Sequence, residues 1–241
     1  MTYDNTLKYL VEQYPEQFLR WLLAAEPNDI QILKTELTLE PIRADAVIFL
    51  RVANRIVHLE FQTSAVSKPP LPLRMLDYWV RLHRQYQCDI EQVVIFLTPT
   101  TAETAFTEEF NAPNTQHRYR VIRIWEQDPE PLLASPALLP LAALARTESP
   151  EVLLQTVAAK VNTIEDIERQ RNVSACVQIL AGLKFSNTLI HQFFREEVMR
   201  ESVIYQEIIE RGLQQGLQQG REAEIALIVR LLNRRIGAIQ H

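Results

Sequence analysis

Asp45, Glu60 and Gln62 are the residues whose types and spacing could do chemistry. Asp45 precedes the run Ala46-Val-Ile-Phe-Leu, and Glu60 and Gln62 sit inside Arg55-Ile-Val-His-Leu-Glu-Phe-Gln. Both runs are rich in β-branched and apolar residues and read as strands, with Ala53-Asn54 the turn between them. A hairpin closed at that turn pairs Asp45 with Gln62 and Val47 with Glu60. Side chains alternate along a strand, so Asp45 then shares one face with Glu60 and Gln62. A carboxylate on an apolar strand is costly unless it is paired, hydrogen-bonded or metal-bound. Two neighbouring carboxylates also repel. A hard divalent cation such as Mg²⁺ resolves both problems, because it takes oxygen ligands and keeps several waters. A solvated strand face, or acids paired with Arg43 or Arg74, explains the same spacing without a metal.

The elements that must position these residues follow from periodicity. Asp4 to Ala25 carries apolar residues at helical spacing, broken near Pro15, with Asp4 as a helix cap and Lys8 solvated. Thr35 to Glu40 alternates and reads as the first strand of a three-stranded antiparallel meander. A proline-bearing loop from Thr63 leads into an amphipathic helix over Leu73–Gln87. One face of this helix is supplied by Leu76, Trp79, Val80 and His83 or Tyr86. Arg74, Tyr78, Arg81 and Gln85 form a second stripe, whose guanidinium groups suit phosphate oxygens or a solvated face with Asp77 pairing locally. The continuous apolar run Gln92-Val-Val-Ile-Phe-Leu predicts a buried central strand, and Tyr119 to Trp125 another. Glu103 to Asn114 reads as a short helix or loop. Leu138–Ala145, Glu151–Val161, Ile164–Leu183 and Asn187–Arg200 read as helices. Ser149-Pro150 and Thr163 are start signals, and Phe185, Ile190, Phe193 and Phe194 need burial.

Asp45 followed by Glu60-x-Gln62 resembles the signature of the PD-(D/E)XK nuclease superfamily, with Gln in place of the usual Lys. Arg43-Ala-Asp45, the string His58-Leu-Glu-Phe-Gln62 and the downstream Arg74…Tyr78 resemble the Rpn family, described as recombination-promoting nucleases or putative transposases. The resemblance covers roughly residues 1 to 145, and more loosely the helical remainder. It implies an α/β fold with a restriction-endonuclease-like core, a mixed sheet flanked by helices, and a helical C-terminal extension. The corresponding division is 1–147 for the nuclease-like domain, 148–211 for the extension and 212–241 for a repeat linker with an amphipathic helix. It also implies that Asp45, Glu60 and the Phe61 backbone carbonyl ligate Mg²⁺ or Mn²⁺. Gln62 would orient the attacking water, and Arg74 and Tyr78 would hold the phosphate or order the carboxylates. A lysine at position 62 could stabilise developing charge, whereas a neutral glutamine can only orient by hydrogen bonds. The implied function is metal-dependent cleavage of DNA, linked to recombination or mobile elements. Two alternatives stay open: a catalytically impaired nuclease fold that binds nucleic acid or a partner, and a helical assembly protein whose acidic face is structural.

Composition sets the wider limits. The 241 residues are 47% hydrophobic, enough for a substantial core, and the net charge is −5, which argues against a broadly basic nucleic-acid coat but allows a local groove. No apolar stretch long enough for a membrane span occurs, and Met1 to Lys8 lacks a signal-peptide pattern. Cys88 and Cys176 stand alone and read as free thiols of a cytoplasmic protein. His58 shares the predicted face of Glu60 and reads as a core histidine or a site contact. The familiar phosphate-loop, dinucleotide, zinc-protease and serine-hydrolase motifs are absent.

The tail repeats Gly212-Leu-Gln-Gln as Gly216-Leu-Gln-Gln before Gly220, then sets Ile225, Ile228, Leu231 and Leu232 opposite Arg230, Arg234 and Arg235. Interior glycines weaken a helix, so the repeat reads as a spacer and the last segment as a partner-packing helix that makes homo-oligomers. A chain ending at Arg211 should therefore stay folded and show a smaller assembly mass than the full chain by light scattering. An unchanged mass would remove the tail's role.

Overall fold

The computed structural model describes residues 2–23, 27, 29–33, 46–52, 54–194, 202, 205, 206 and 210. Thr35–Glu40, Asp45, Arg43 and the tail beyond 210 lie outside these residues. Two helices lead, α1 (Thr2–Gln13) and α2 (Pro15–Leu23). The break falls at Tyr14, where the following proline disfavours helical backbone. Asp4 is not a solvated cap. It lies inside the first turn of α1 and is buried at 8% exposure.

Among the described residues the main sheet has five strands in the order β1-β2-β3-β4-β7. They are β1 (Ile30–Leu33), β2 (Ala46–Val52), β3 (Arg55–Gln62), β4 (Asp89–Phe96) and β7 (Arg120–Arg123). The first three make an antiparallel meander, and β4 and β7 join in parallel, so the sheet is mixed. The strand paired with β2 is Ile30–Leu33, earlier in the chain than the Thr35–Glu40 run. The β2–β3 register pairs Val47 with Glu60 and Ala46 with Phe61, the pairing that the sequence reading expects.

Alternation divides the sheet into two faces. Val57, Leu59 and Phe61 of β3, with Val93 and Ile95 of β4, join one core cluster that also holds Leu7, Leu10, Phe18, Leu139, Leu154, Val177 and Ile190. Helices α6 (Pro150–Asn162), α7 (Ile167–Ala181) and α8 (Asn187–Phe193) therefore pack on the same core as α1 and the sheet. Ile190 and Phe194 are buried, and Phe185 and Phe193 pack partly buried against them. The opposite face is covered by a single long helix, α3 (Leu71–Tyr86), through Leu71, Met75, Tyr78 and Leu82.

Several boundaries differ from the sequence reading for local reasons. Glu103–Asn114 contains a short 3₁₀ turn, Glu103–Phe106, and the first strand of a separate hairpin, β5 (Glu109–Ala112) with β6 (Thr115–Arg118). The expected strand through Trp125 ends at Arg123 and tightens into a 3₁₀ turn. Before α6, α4 (Pro129–Leu133) starts on the Asp128 cap. The Leu138–Ala145 stretch is fully buried but only Leu139–Ala142, α5, is α-helical. Helix α7 begins three residues later than expected, where the Asp166 carboxylate accepts the Arg169 amide at 2.9 Å. Cys88 and Cys176 are buried free thiols, and no described helix is long and apolar enough to cross a membrane.

The largest correction concerns α3. Its buried stripe is Leu71, Arg74, Met75, Tyr78 and Leu82, whereas Val80, expected inward, is 45% exposed. The helix is turned so that its Arg/Tyr stripe meets the sheet. Leu82→Ala should thus cost about 2–5 kcal/mol in urea unfolding, and Val80→Ala less than about 0.5 kcal/mol. Equal losses would mean that α3 is rotated the other way.

Candidate active site

Glu60 stands at the centre of the α3-facing side of β3 and has no exposed surface. Its Oε1 accepts two hydrogen bonds, one at 2.7 Å from Gln62 Nε2 and a short one from an Arg74 terminal nitrogen. Gln62 lies two residues along the same strand face, and Arg74 reaches across from the second turn of α3. Arg74 is 4% exposed, so the ion pair is almost fully removed from water. The pairing that the sequence raised as an alternative to a metal, an acid held by Arg74, is thus present at Glu60.

Tyr78 follows one turn along α3, between Phe49 of β2 and His58 of β3. Its ring meets the His58 ring edge-on at 4.9 Å, and its hydroxyl pKa is raised above the usual phenolic range by burial, with the Glu60 charge second. Arg74 and Tyr78 therefore both belong to the Glu60 neighbourhood. Arg81 bonds Asp77 at 3.0 Å on the half-buried flank of the helix, where its charge reaches the Tyr78 hydroxyl, and Gln85 is exposed.

His58 is the core residue that the sequence allowed for, yet it also reaches the site. Its Nε2 lies 3.7 Å from Glu60 Oε2. Burial, with the Arg74 charge second, pulls the ring down to about 3, so it is neutral at ordinary pH. His58 Nδ1 is 2.8 Å from the Gln92 amide nitrogen. The same nitrogen donates to the Met75 backbone carbonyl at 2.9 Å, and Gln92 Oε1 lies 2.5 Å from His117 Nε2. Reading the sequence missed Gln92 and His117. Gln92 opens an apolar run and read as its border, but the register sets it beside His58 on β3. Its polarity inside a buried strand was the available signal. Tyr119 also faces this region. Its hydroxyl has no hydrogen-bond partner among the described residues, and burial, then Glu60 and Glu108, push it up to about 12.

The donor set can be tested against Mg²⁺ or Mn²⁺. The Glu60 carboxylate and the Phe61 carbonyl are oxygens of the right kind. Gln62 O accepts Leu97 N from the β4 side, so alternation turns the Phe61 carbonyl toward β2, where Ala46 is its partner. Donor type therefore fits, but number does not. Among the described residues no three His, Cys, Asp or Glu side chains converge, and Arg74 already neutralises Glu60. Asp45, the residue before Ala46 in the sequence, would add the second carboxylate and lies outside the described residues. No family model, no curated protein and no solved structure matches the chain.

The depressed His58 pKa has a definite pH consequence. An unfolded histidine titrates near about 6.5, so this contribution to stability is complete above that value and is lost as pH falls toward the folded value, at up to about 1.4 kcal/mol per pH unit. Urea unfolding of the wild type should accordingly lose more stability on going from about pH 6.5 to about pH 4 than His58→Gln does. Parallel pH profiles for the two proteins would mean that His58 is charged in the folded state.

Proposed function

We propose that the chain is a metal-dependent DNA endonuclease with a PD-(D/E)XK-type core, similar to the Rpn family. The observation that carries this reading is the convergence of Glu60, Gln62 and Arg74, drawn from a strand and the helix that follows it. The β2–β3 register supports it further, since it pairs Val47 with Glu60 as the sequence reading of this hairpin expects. The mixed sheet, with α3 on one side and the other helices opposite, is compatible with such a core.

The roles follow from chemistry already described. Asp45, Glu60 and the Phe61 carbonyl would hold Mg²⁺ or Mn²⁺, which supplies Lewis acidity toward a phosphate oxygen and acidifies bound water. Gln62 orients a water molecule by hydrogen bonding. Arg74 pairs with Glu60 and aligns it, and its planar fork suits a phosphate if the pair opens. Tyr78 packs behind both groups. DNA is the substrate in this reading, as a link to recombination or mobile elements would require.

One observation favours a second reading, an impaired nuclease fold that binds nucleic acid or a partner. Glu60 is wholly buried and already paired with Arg74, so this carboxylate needs no metal to be stable. Plasmid nicking distinguishes the two. With Mg²⁺ or Mn²⁺ the wild type should nick and EDTA should stop it, while Asp45→Ala and Glu60→Ala, each of which removes a ligand and its charge from the metal, should lower the rate by at least about 100-fold. Gln62→Ala should be milder. Gln62→Lys should bring no gain, because it would add a cation beside Arg74. If Glu60→Ala nicks as fast as wild type, the site is elsewhere. If no metal supports nicking but DNA still binds, the second reading replaces the first.

A further inference from the structure

Gln92 makes three directed contacts, and they have only one consistent proton assignment. The Met75 carbonyl can only accept, so the Gln92 atom 2.9 Å away must be the amide nitrogen. That orientation turns Oε1 toward His117 Nε2, which must therefore carry a proton. It also spends the second amide hydrogen on His58 Nδ1, at 2.8 Å. A neutral imidazole that accepts at Nδ1 carries its proton on Nε2. His58 Nε2 has no hydrogen-bond partner among the described residues, and it lies 3.7 Å from Glu60 Oε2. This separation is too long for a hydrogen bond but is closed by a sub-ångström shift of the carboxylate.

We propose that Gln92 is a positioning residue: its amide fixes His58 with the proton on Nε2, so that a buried N–H faces Glu60 and steadies its carboxylate. The proposal rests on the reading of Glu60 as the functional carboxylate, although its structural half stands independently of cleavage. The ring cannot rotate freely, because Phe49 and Tyr78 meet it edge-on at 5.1 and 4.9 Å. The tautomer is then the one remaining degree of freedom, and Gln92 removes it. Once that gap closes, a rigid donor on the Oε2 side opposes the Arg74 and Gln62 bonds on Oε1 and defines the carboxylate plane from both ends. Hydrogen-bonded supports of this kind commonly change the activity of the groups they orient by about 10- to 100-fold. His117 gives the network a half-buried outer end, where its ring also contacts Trp79 at 5.7 Å.

The test uses the full chain with labelled histidine and glutamate side chains. Long-range proton–nitrogen spectra at neutral pH should show His58 and His117 each with the proton on Nε2 and His58 Nδ1 as an acceptor. In Gln92→Glu the new carboxylate cannot donate, so the His58 proton should move to Nδ1. In Gln92→Met, which adds no charge and keeps the length of the side chain, His58 should sample both tautomers. The Glu60 carboxyl carbon signal should shift in both variants. Where the wild type nicks plasmid, kcat should fall by about 10- to 100-fold with little change in KM. Unchanged histidine and Glu60 spectra in the variants overturn the proposal whether or not the protein cuts DNA. A tautomer change that leaves the Glu60 signal unmoved also overturns it, leaving Gln92 as packing. Should Gln92→Glu fail to fold, Gln92→Met decides by the same spectra. A wild type that shows the tautomer and the Glu60 coupling yet fails to nick with any metal sinks the nuclease reading and upholds the positioning role.

Discussion

The ion pair of Glu60 with Arg74 constrains everything packed on its face of the sheet. Both groups are almost completely removed from water, and the desolvation of two ions is recovered only when their geometry is good and the remaining polar atoms are met. Arg74 can reach Glu60 only if α3 presents the 71-74-75-78-82 stripe to the strands. The orientation of the helix, the burial of Tyr78 against His58 and the exposure of Leu73 and Val80 all follow from that requirement. Losing either partner would strand a charge in an apolar layer. A pair retained there specifies one docking of α3 more strictly than a hydrophobic contact of the same area would.

Hydrogen-bond saturation extends the constraint from the pair to its surroundings. Gln92 uses both amide hydrogens and its oxygen, and each partner comes from a different element: Met75 from α3, His58 from β3 and His117 from β6. Buried polar groups that are fully met rigidify a core, whereas a half-met group is costly. The amide therefore ties the outer hairpin to the central strands. It also explains why β4, otherwise an unbroken apolar strand, admits a glutamine at this point.

Legibility in the sequence followed the strength of the local signal. The β2–β3 register could be read because a two-residue turn between apolar runs leaves few pairings, and a slip by one residue would move every side chain to the wrong face. The parallel central strand was legible from its unbroken Val/Ile/Phe run. The facing of α3 was not, because periodicity rewards apolar residues and the helix buries an arginine instead. No local rule reports a partner 14 positions away. The β5–β6 hairpin was missed for a related reason: its strands are polar, with Glu109, Asn111, Gln116 and Arg118 bonded to one another on an exposed surface. For the site, strand alternation and helix spacing bring Glu60, Gln62, Arg74 and Tyr78 near one another, but leave His58 open between core and site and set Gln92 at the edge of its strand.

The identity of residue 62 makes sense within this charge arrangement. In a site where a strand carboxylate has no other counter-ion, a lysine two residues further along can supply the positive charge. Here Arg74 supplies it from the helix, in a short contact with Glu60 Oε1, and the Gln62 amide occupies the other donor position on the same oxygen. A lysine at 62 would bring a second cation to that oxygen, close to the first, in a layer with little water to screen their repulsion. A neutral donor satisfies the oxygen without that cost. The glutamine therefore reads as the local complement of Arg74, and a positive charge placed by α3 in place of one placed by β3 changes what the site can do. The cation is anchored to the Glu60 carboxylate on one side and limited to the geometry of a planar fork, with only 4% of its side chain exposed.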